Sequence, residues 1–311
     1  MDFGLWVEPE MVNPDSDLYR EHPDWVIHFP GRPRTEARNQ LVLNLARDDV
    51  KEHLFQVLDK LLSENDIAFL KWDMNRPFSE PGWPGVPVEE QKKIWVTYVR
   101  NLYEIIDRLR QSHPELEIES CSSGGGRLDL GILERTEQVW TSDNTEGLDR
   151  LQIQEGYSFA YAPKTMMNWV TDNPGMNLRS TPLEYRFLVA MSGSLGIGGN
   201  LTKWSEADMA LAKKMVAYYK RVRNSVQHGD LYRLLSPRDG DVSAIEYVSE
   251  NGEQAVLFAF REQQRFLQPA PPIRLRGLDA EALYRIEGID EEKLLDPKEP
   301  VSGAYLMLAI I

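Results

Sequence analysis

Hydrophobic positions along this chain follow two periods, and the change from one to the other divides it. Up to about residue 228, short apolar runs alternate with stretches in which apolar residues recur every three or four positions. The runs at 3–8, 40–45, 67–72, 116–121, 138–142, 165–170 and 194–197 predict strands, several of them ending in small or charged residues. Helical spacing is clearest after Asp48, where Val50, Leu54, Val57, Leu58, Leu61 and Leu62 make one apolar face. A second amphipathic helix is predicted from about 89 to 110, with Ile94, Tyr98, Leu102, Ile105 and Leu109 inward. Shorter helical patterns lie near 128–134 and 182–191, and a long one runs from Ser205, which forms a capping-box pattern with Asp208, to about 226.

Beyond 242 the period becomes two. Residues 242–248 and 254–260 predict strands joined through Asn251-Gly252, a strong hairpin signal. Runs at 273–278, 283–286 and 305–310 predict further strands, with Pro269, Pro271 and Pro272 as breaks. Repeated strand-then-helix units imply parallel strands covered by helices, hence a doubly wound sheet or a (β/α)8 barrel. Functional-looking residues at the strand C-termini favour the barrel. The expected fold is thus α/β: a (β/α)8 TIM barrel over residues 1–228 that shows strands 2–8 and lacks its first βα unit. A small antiparallel β-sandwich at 229–311 follows. The apolar final strand suggests that the C-terminus is cut short as well.

Charge narrows the partners. With 35 Lys and Arg against 49 Asp and Glu the net charge is −14, which repels phosphate backbones and anionic membranes. No apolar run approaches the ~20 residues of a membrane span. One cysteine, Cys121, allows no internal disulfide. The expectation is a cytoplasmic protein with no nucleic-acid or membrane partner.

The chemistry concentrates at the predicted strand ends. Trp6 and Glu8 close the first visible strand, Lys71 and Asp73 the third, Cys121 the fourth, and Asp143 follows the fifth. Lys71 and Asp73 lie two residues apart, on one side of a strand, so the cation would favour the ionised carboxylate; a surface ion pair would explain the same spacing. Asp73 and Asp143 stand two βα units apart, on alternate strands facing one another across a barrel mouth. Two carboxylates without other catalytic groups suggest glycoside hydrolysis. The five histidines show no metal-ligand spacing, and with one cysteine no metal site is expected. Gly124-Gly125-Gly126 lacks the Lys-Ser/Thr ending of a phosphate loop, so its expected use is close backbone approach to a ligand. Cys121 reads as a small wall residue, with no histidine placed to activate it.

Five segments taken together carry a resemblance: Trp6-Val-Glu-Pro-Glu-Met-Val12, Arg38-Asn-Gln-Leu-Val-Leu43, Lys71-Trp-Asp-Met-Asn-Arg76, Cys121-Ser-Ser-Gly-Gly-Gly-Arg127 and Trp140-Thr-Ser-Asp-Asn-Thr145. In this order they resemble the α-galactosidases of glycoside hydrolase family 36. The resemblance implies a retaining exo-α-galactosidase acting on melibiose- or raffinose-type α-galactosides, with Asp73 as nucleophile and Asp143 as acid/base. It further implies that Trp6, Arg38, Lys71, Trp72, Asn75, Cys121 and Gly124 contact the sugar, that no cofactor is needed, and that a homo-oligomer forms. An α-N-acetylgalactosaminidase, a galactosyl transferase of the same family, or an inactive fragment of such an enzyme are the other readings. Family members also carry an N-terminal β-sandwich domain and an Asp-Asp-Gly-Trp motif on the first barrel strand, and neither is present in this sequence.

Overall fold

A computed structural model describes residues 1–311 except 176, 265, 268, 289–300 and 303–311; at 301–302 it describes the backbone alone. The chain forms two compact units, Met1–Asp143 and Asn144–Ile311.

The first unit is built on four parallel strands in the order β1 (Gly4–Val7), β4 (Phe69–Trp72), β5 (Glu117–Ser120) and β6 (Gln138–Trp140). Between β1 and β4 come β2 (Met11–Val12), α1 (Asp17–Glu21), β3 (Leu41–Val42) and α2 (Asp48–Glu64). The apolar stripe of α2 buries Val50, Leu54, Leu58 and Leu62 at four-residue intervals. Helix α3 (Lys93–Ser112) packs beside it and buries Ile94, Tyr98, Leu102, Ile105, Ile106 and Leu109. These faces meet Leu70, Trp72 and Ile118 from the strands in one core. Alternation along β4 turns Leu70 and Trp72 into that core and Phe69 and Lys71 to the other side. The short α4 (Leu130–Leu133) leads into β6.

One expected barrel strand is not one. The run at 40–45 forms only β3, which pairs antiparallel with β2, while β1 pairs directly with β4. Its carbonyl and amide groups also go to loops: Ile27 donates to Val42, Leu43 to Glu10 and Asn44 to the carbonyl of Trp25. Such a run is apolar because it is buried, which periodicity cannot distinguish from membership of the sheet. The parallel strands therefore number six among the described residues, not seven.

The other two lie in the second unit: β7 (Met166–Val170) and β8 (Ser194–Ile197), parallel to each other. Helices α5 (Gly147–Ser158), α6 (Leu183–Met191) and α7 (Glu206–His228) accompany them, and the Ser205–Asp208 capping box opens α7. Helix α5 is absent from the sequence-based expectation because its buried face carries Arg150, Gln154 and Glu155, so apolar periodicity is lost. An antiparallel sheet of β9 (Asp230–Leu235), β10 (Val242–Val248) and β11 (Ala255–Arg261) follows in the order β11-β10-β9. Val170, Phe187, Met191, Met215, Val222, Tyr247, Phe258 and Phe260 share one core, so these helices and this sheet form one unit. Among the described residues the expected strand at 273–278 joins no ladder; it is an extended segment held by the burial of Ile273, Leu275 and Leu278 and by the Arg276 amide on Glu246. A separate antiparallel pair is formed by β12 (Leu283–Tyr284) and β13 (Val301–Ser302), and the run at 305–310 lies outside the described residues.

Candidate active site

Parallel register sets Trp6 level with Lys71, and Lys71 level with Glu119. Past the last ladder pair the chain stays tied: Asp73 donates its amide to Val7, Cys121 to Trp72 and Met74 to Cys121. Asp73 is thus delivered to the strand tip by backbone bonds on both sides. The residue is 6 % exposed. Trp6 Nε1 donates to Oδ2 at 3.0 Å and the Met74 amide to Oδ1 at 2.9 Å. Burial by itself raises the acid's pKa, but hydrogen bonds from Asn75, Trp6, Cys121 and the Met74 amide outweigh it and hold Asp73 below the usual carboxylate range. The result is a desolvated, ionised carboxylate beneath an indole that is itself 52 % exposed, flat and available for stacking on a sugar ring.

Lys71 pairs with a carboxylate that the local spacing does not reveal. Its ammonium lies 2.6 Å from Glu119 Oε1 and 4.3 Å above the centre of the Trp140 ring. Neutral N–H and S–H donors lead among the groups that hold Asp73 ionised. Cys121 is 2 % exposed, and burial pushes its thiol up to about 12, so it serves as a donor to Asp73 and not as a nucleophile.

Trp72 is also misassigned by sequence. It is 1 % exposed and faces the core, where its Nε1 donates to Glu10 Oε1 at 2.8 Å. Glu10 is fully buried and also accepts from Tyr98 Oη at 2.7 Å and Arg127 Nη1 at 2.5 Å. The sequence does not display this network, because a carboxylate just past a proline reads as loop polarity; the second glutamate of Glu8-Pro9-Glu10 is its one local signal. Glu8 has a different use. It accepts the Asn75 amide at 2.8 Å and Gln40 Nε2 at 2.7 Å, and so ties the Asp73 loop to the turn that carries Arg38. Arg38 is exposed at that turn's tip, with Arg38 and Asn39 at φ of 56° and 58° between Ala37 and Gln40, which pair with each other.

The glycine-rich segment joins the two carboxylate-bearing ends. Ser122 Oγ donates to Met74 O, the Ser123 amide to Asn75 Oδ1 at 3.0 Å, and the Gly125 amide to Thr141 O at 3.1 Å. Gly124 has φ +90°, and a Cβ there would lie 2.9 Å from Ser142 Cα. Its glycines thus admit the backbone of the β6 tip. Asp143 follows that tip, exposed, with Oδ1 accepting Trp140 Nε1 at 2.8 Å. In strand order β5 separates β4 from β6, so the two acids do stand on alternate strands. Among the described residues no group of three or more His, Cys, Asp or Glu converges as a metal-ligand set.

A parallel α/β sheet with one ionised, desolvated aspartate and one exposed aspartate at alternate strand tips places the protein among two-carboxylate α/β proteins. Comparison with known families gives the particular one. The melibiase family model matches residues 1–229, and that of the glycosyl hydrolase family 36 C-terminal domain matches 242–309. The chain belongs to glycoside hydrolase family 36, the melibiases. It is 43 % identical over 290 residues to alpha-galactosidase AgaA of Geobacillus stearothermophilus, covering 93 % of this chain and 40 % of that protein. Alpha-galactosidase C of Emericella nidulans is also 43 % identical, over 92 % of this chain and 37 % of its own. The crystal structure of an AgaA variant in complex with raffinose superposes with a TM-score of 0.94 at 41 % identity, covering all of this chain and 42 % of the other. The chain spans about two fifths of the length of these relatives.

Proposed function

We propose that this chain carries the catalytic residues of a retaining exo-α-galactosidase that removes terminal α-D-galactose from raffinose- or melibiose-type oligosaccharides, with residues 1–228 as part of a (β/α)8 barrel and 229–311 as a C-terminal β-domain. The observation that carries the reading is Asp73: buried, ionised, and held by Trp6 and Met74 with its oxygens at a strand tip. A relative crystallised with raffinose supports the substrate class.

In this reading an Asp73 oxygen attacks the anomeric carbon as the bond to the glycosidic oxygen breaks, and Asp143 gives its proton to that oxygen. A β-galactosyl ester on Asp73 results. Water then attacks the same carbon, Asp143 takes the water's proton, and the ester bond breaks to release α-galactose and restore Asp73. Trp6 and Met74 hydrogen-bond the carboxylate that leaves in the second step, and the exposed Trp6 ring gives the sugar a face.

The test is stereochemical. The first sugar released from an aryl α-galactoside, followed by NMR, is expected to be α-galactose. Asp73→Gly is expected to lose turnover and, with azide, to yield β-galactosyl azide; Asp143→Gly with azide is expected to yield the α-azide. First-formed β-galactose, or an Asp73→Gly variant with parental activity, would refute the reading.

A further inference from the structure

Asp143 is exposed and lies three residues beyond a strand, so the backbone ladder alone does not aim its carboxyl group. A side-chain relay does. Trp140, the last residue of β6, is 5 % exposed and donates Nε1 to Asp143 Oδ1 at 2.8 Å. The ring that supplies this N–H is fixed from its other side. The Lys71 ammonium stands 4.3 Å from its centroid and is pinned at 2.6 Å by Glu119 Oε1, while the other Glu119 oxygen accepts Gln138 Nε2 at 2.6 Å. Glu119 is 1 % exposed, so this pair works at low local dielectric. A cation on the face of an indole also polarises it and makes its N–H a better donor.

We propose that Trp140 is a positioning residue for the acid/base, holding Asp143 Oδ1 so that Oδ2 carries the transferable proton. This rests on the reading of Asp143 as the acid/base. In a neutral carboxyl the carbonyl oxygen is the stronger acceptor, so the Trp140 N–H on Oδ1 favours the form of the acid with its proton on Oδ2. One oxygen then meets both the glycosidic oxygen in the first step and water in the second. Without the N–H the carboxyl turns about two side-chain torsions, and part of the acid's contribution, typically ~10²–10⁴-fold, is lost.

The experiment compares kcat/KM, which reports the galactosylation step, on raffinose and on α-galactosyl fluoride, whose leaving group needs little protonation. Trp140→Phe is expected to lose on the order of 10- to 100-fold on raffinose and less than about 3-fold on the fluoride. Replacing the Trp140 indole by benzothiophene through nonsense suppression removes the N–H while keeping the ring's shape, and is expected to give the same split should the phenylalanine variant fold poorly. Equal losses on both substrates would make Trp140 a packing residue and overturn the proposal, as would an undiminished rate on raffinose. Asp143→Ala is the control: it is expected to show a larger split of the same kind. No split in that control would sink the role given to Asp143 and this proposal with it, whereas a split there but not at Trp140 would sink this proposal alone.

Discussion

Replacing Glu10 by Leu should undo the floor of the site. Glu10 is fully buried and accepts three hydrogen bonds, from Trp72 Nε1, Tyr98 Oη and Arg127 Nη1. The Arg127 side chain is 15 % exposed, so its charge would be left almost entirely inside the protein. Removing one partner of a buried ion pair costs about 3–5 kcal/mol. The two orphaned neutral donors add about 1–3 kcal/mol each. Extra apolar burial offsets about 2 kcal/mol, which leaves a loss of at least ~3 kcal/mol, a large part of the ~5–15 kcal/mol that holds a domain together. Arg127→Met should cost about 3–5 kcal/mol in its turn, since it strands the carboxylate. In the double variant neither charge remains, and Nε and Nη2 of Arg127, which have no hydrogen-bond partner among the described residues, are removed as well. The two single losses should therefore exceed the double loss by about 2 kcal/mol or more. Urea titrations of tryptophan fluorescence at pH 7 on the four proteins of the cycle measure this. A coupling under about 0.5 kcal/mol would refute the claim that Glu10 and Arg127 act as a pair.

Two further predictions concern other elements. Burial pushes Glu246 on β10 up to about 7, so between the unfolded value near ~4.3 and 7 the folded state holds the proton more tightly; this contribution is complete below the lower value and is lost as pH rises through 7. Glu246→Gln, which keeps an acceptor for the Arg276 amide, should therefore melt higher than the parent by a few degrees at pH 8 and show no such gain at pH 4, and a difference in Tm independent of pH would contradict this. Gly124→Ala should cost about 1–3 kcal/mol through its positive φ and displace Ser142, lowering kcat on raffinose, and unchanged stability and rate would show that the loop accommodates a Cβ.

What could be read from the chain alone was whatever depends on local period and on short motifs. Strands β4, β5, β6, β7 and β8, helices α2, α3, α6 and α7, and the Asn251-Gly252 hairpin follow from neighbours a few residues apart. So does the placement of Asp73 and Asp143 at alternate strand tips, because strand order follows chain order among β4, β5 and β6. The partners of each charged side chain were decided only in three dimensions. Lys71 lies two residues from Asp73, yet its ion pair is with Glu119, 48 residues away, because β5 sets that carboxylate level with it. Trp72 sits inside the best motif and still faces the core, since a strand sends alternate residues to opposite sides. The run at 40–45 is apolar but lies outside the parallel sheet, and α5 is helical although its buried face is polar. Hydrophobicity along a chain records how deeply a residue will be buried; which element buries it, and which donor meets a buried carboxylate, are settled by segments far away in sequence.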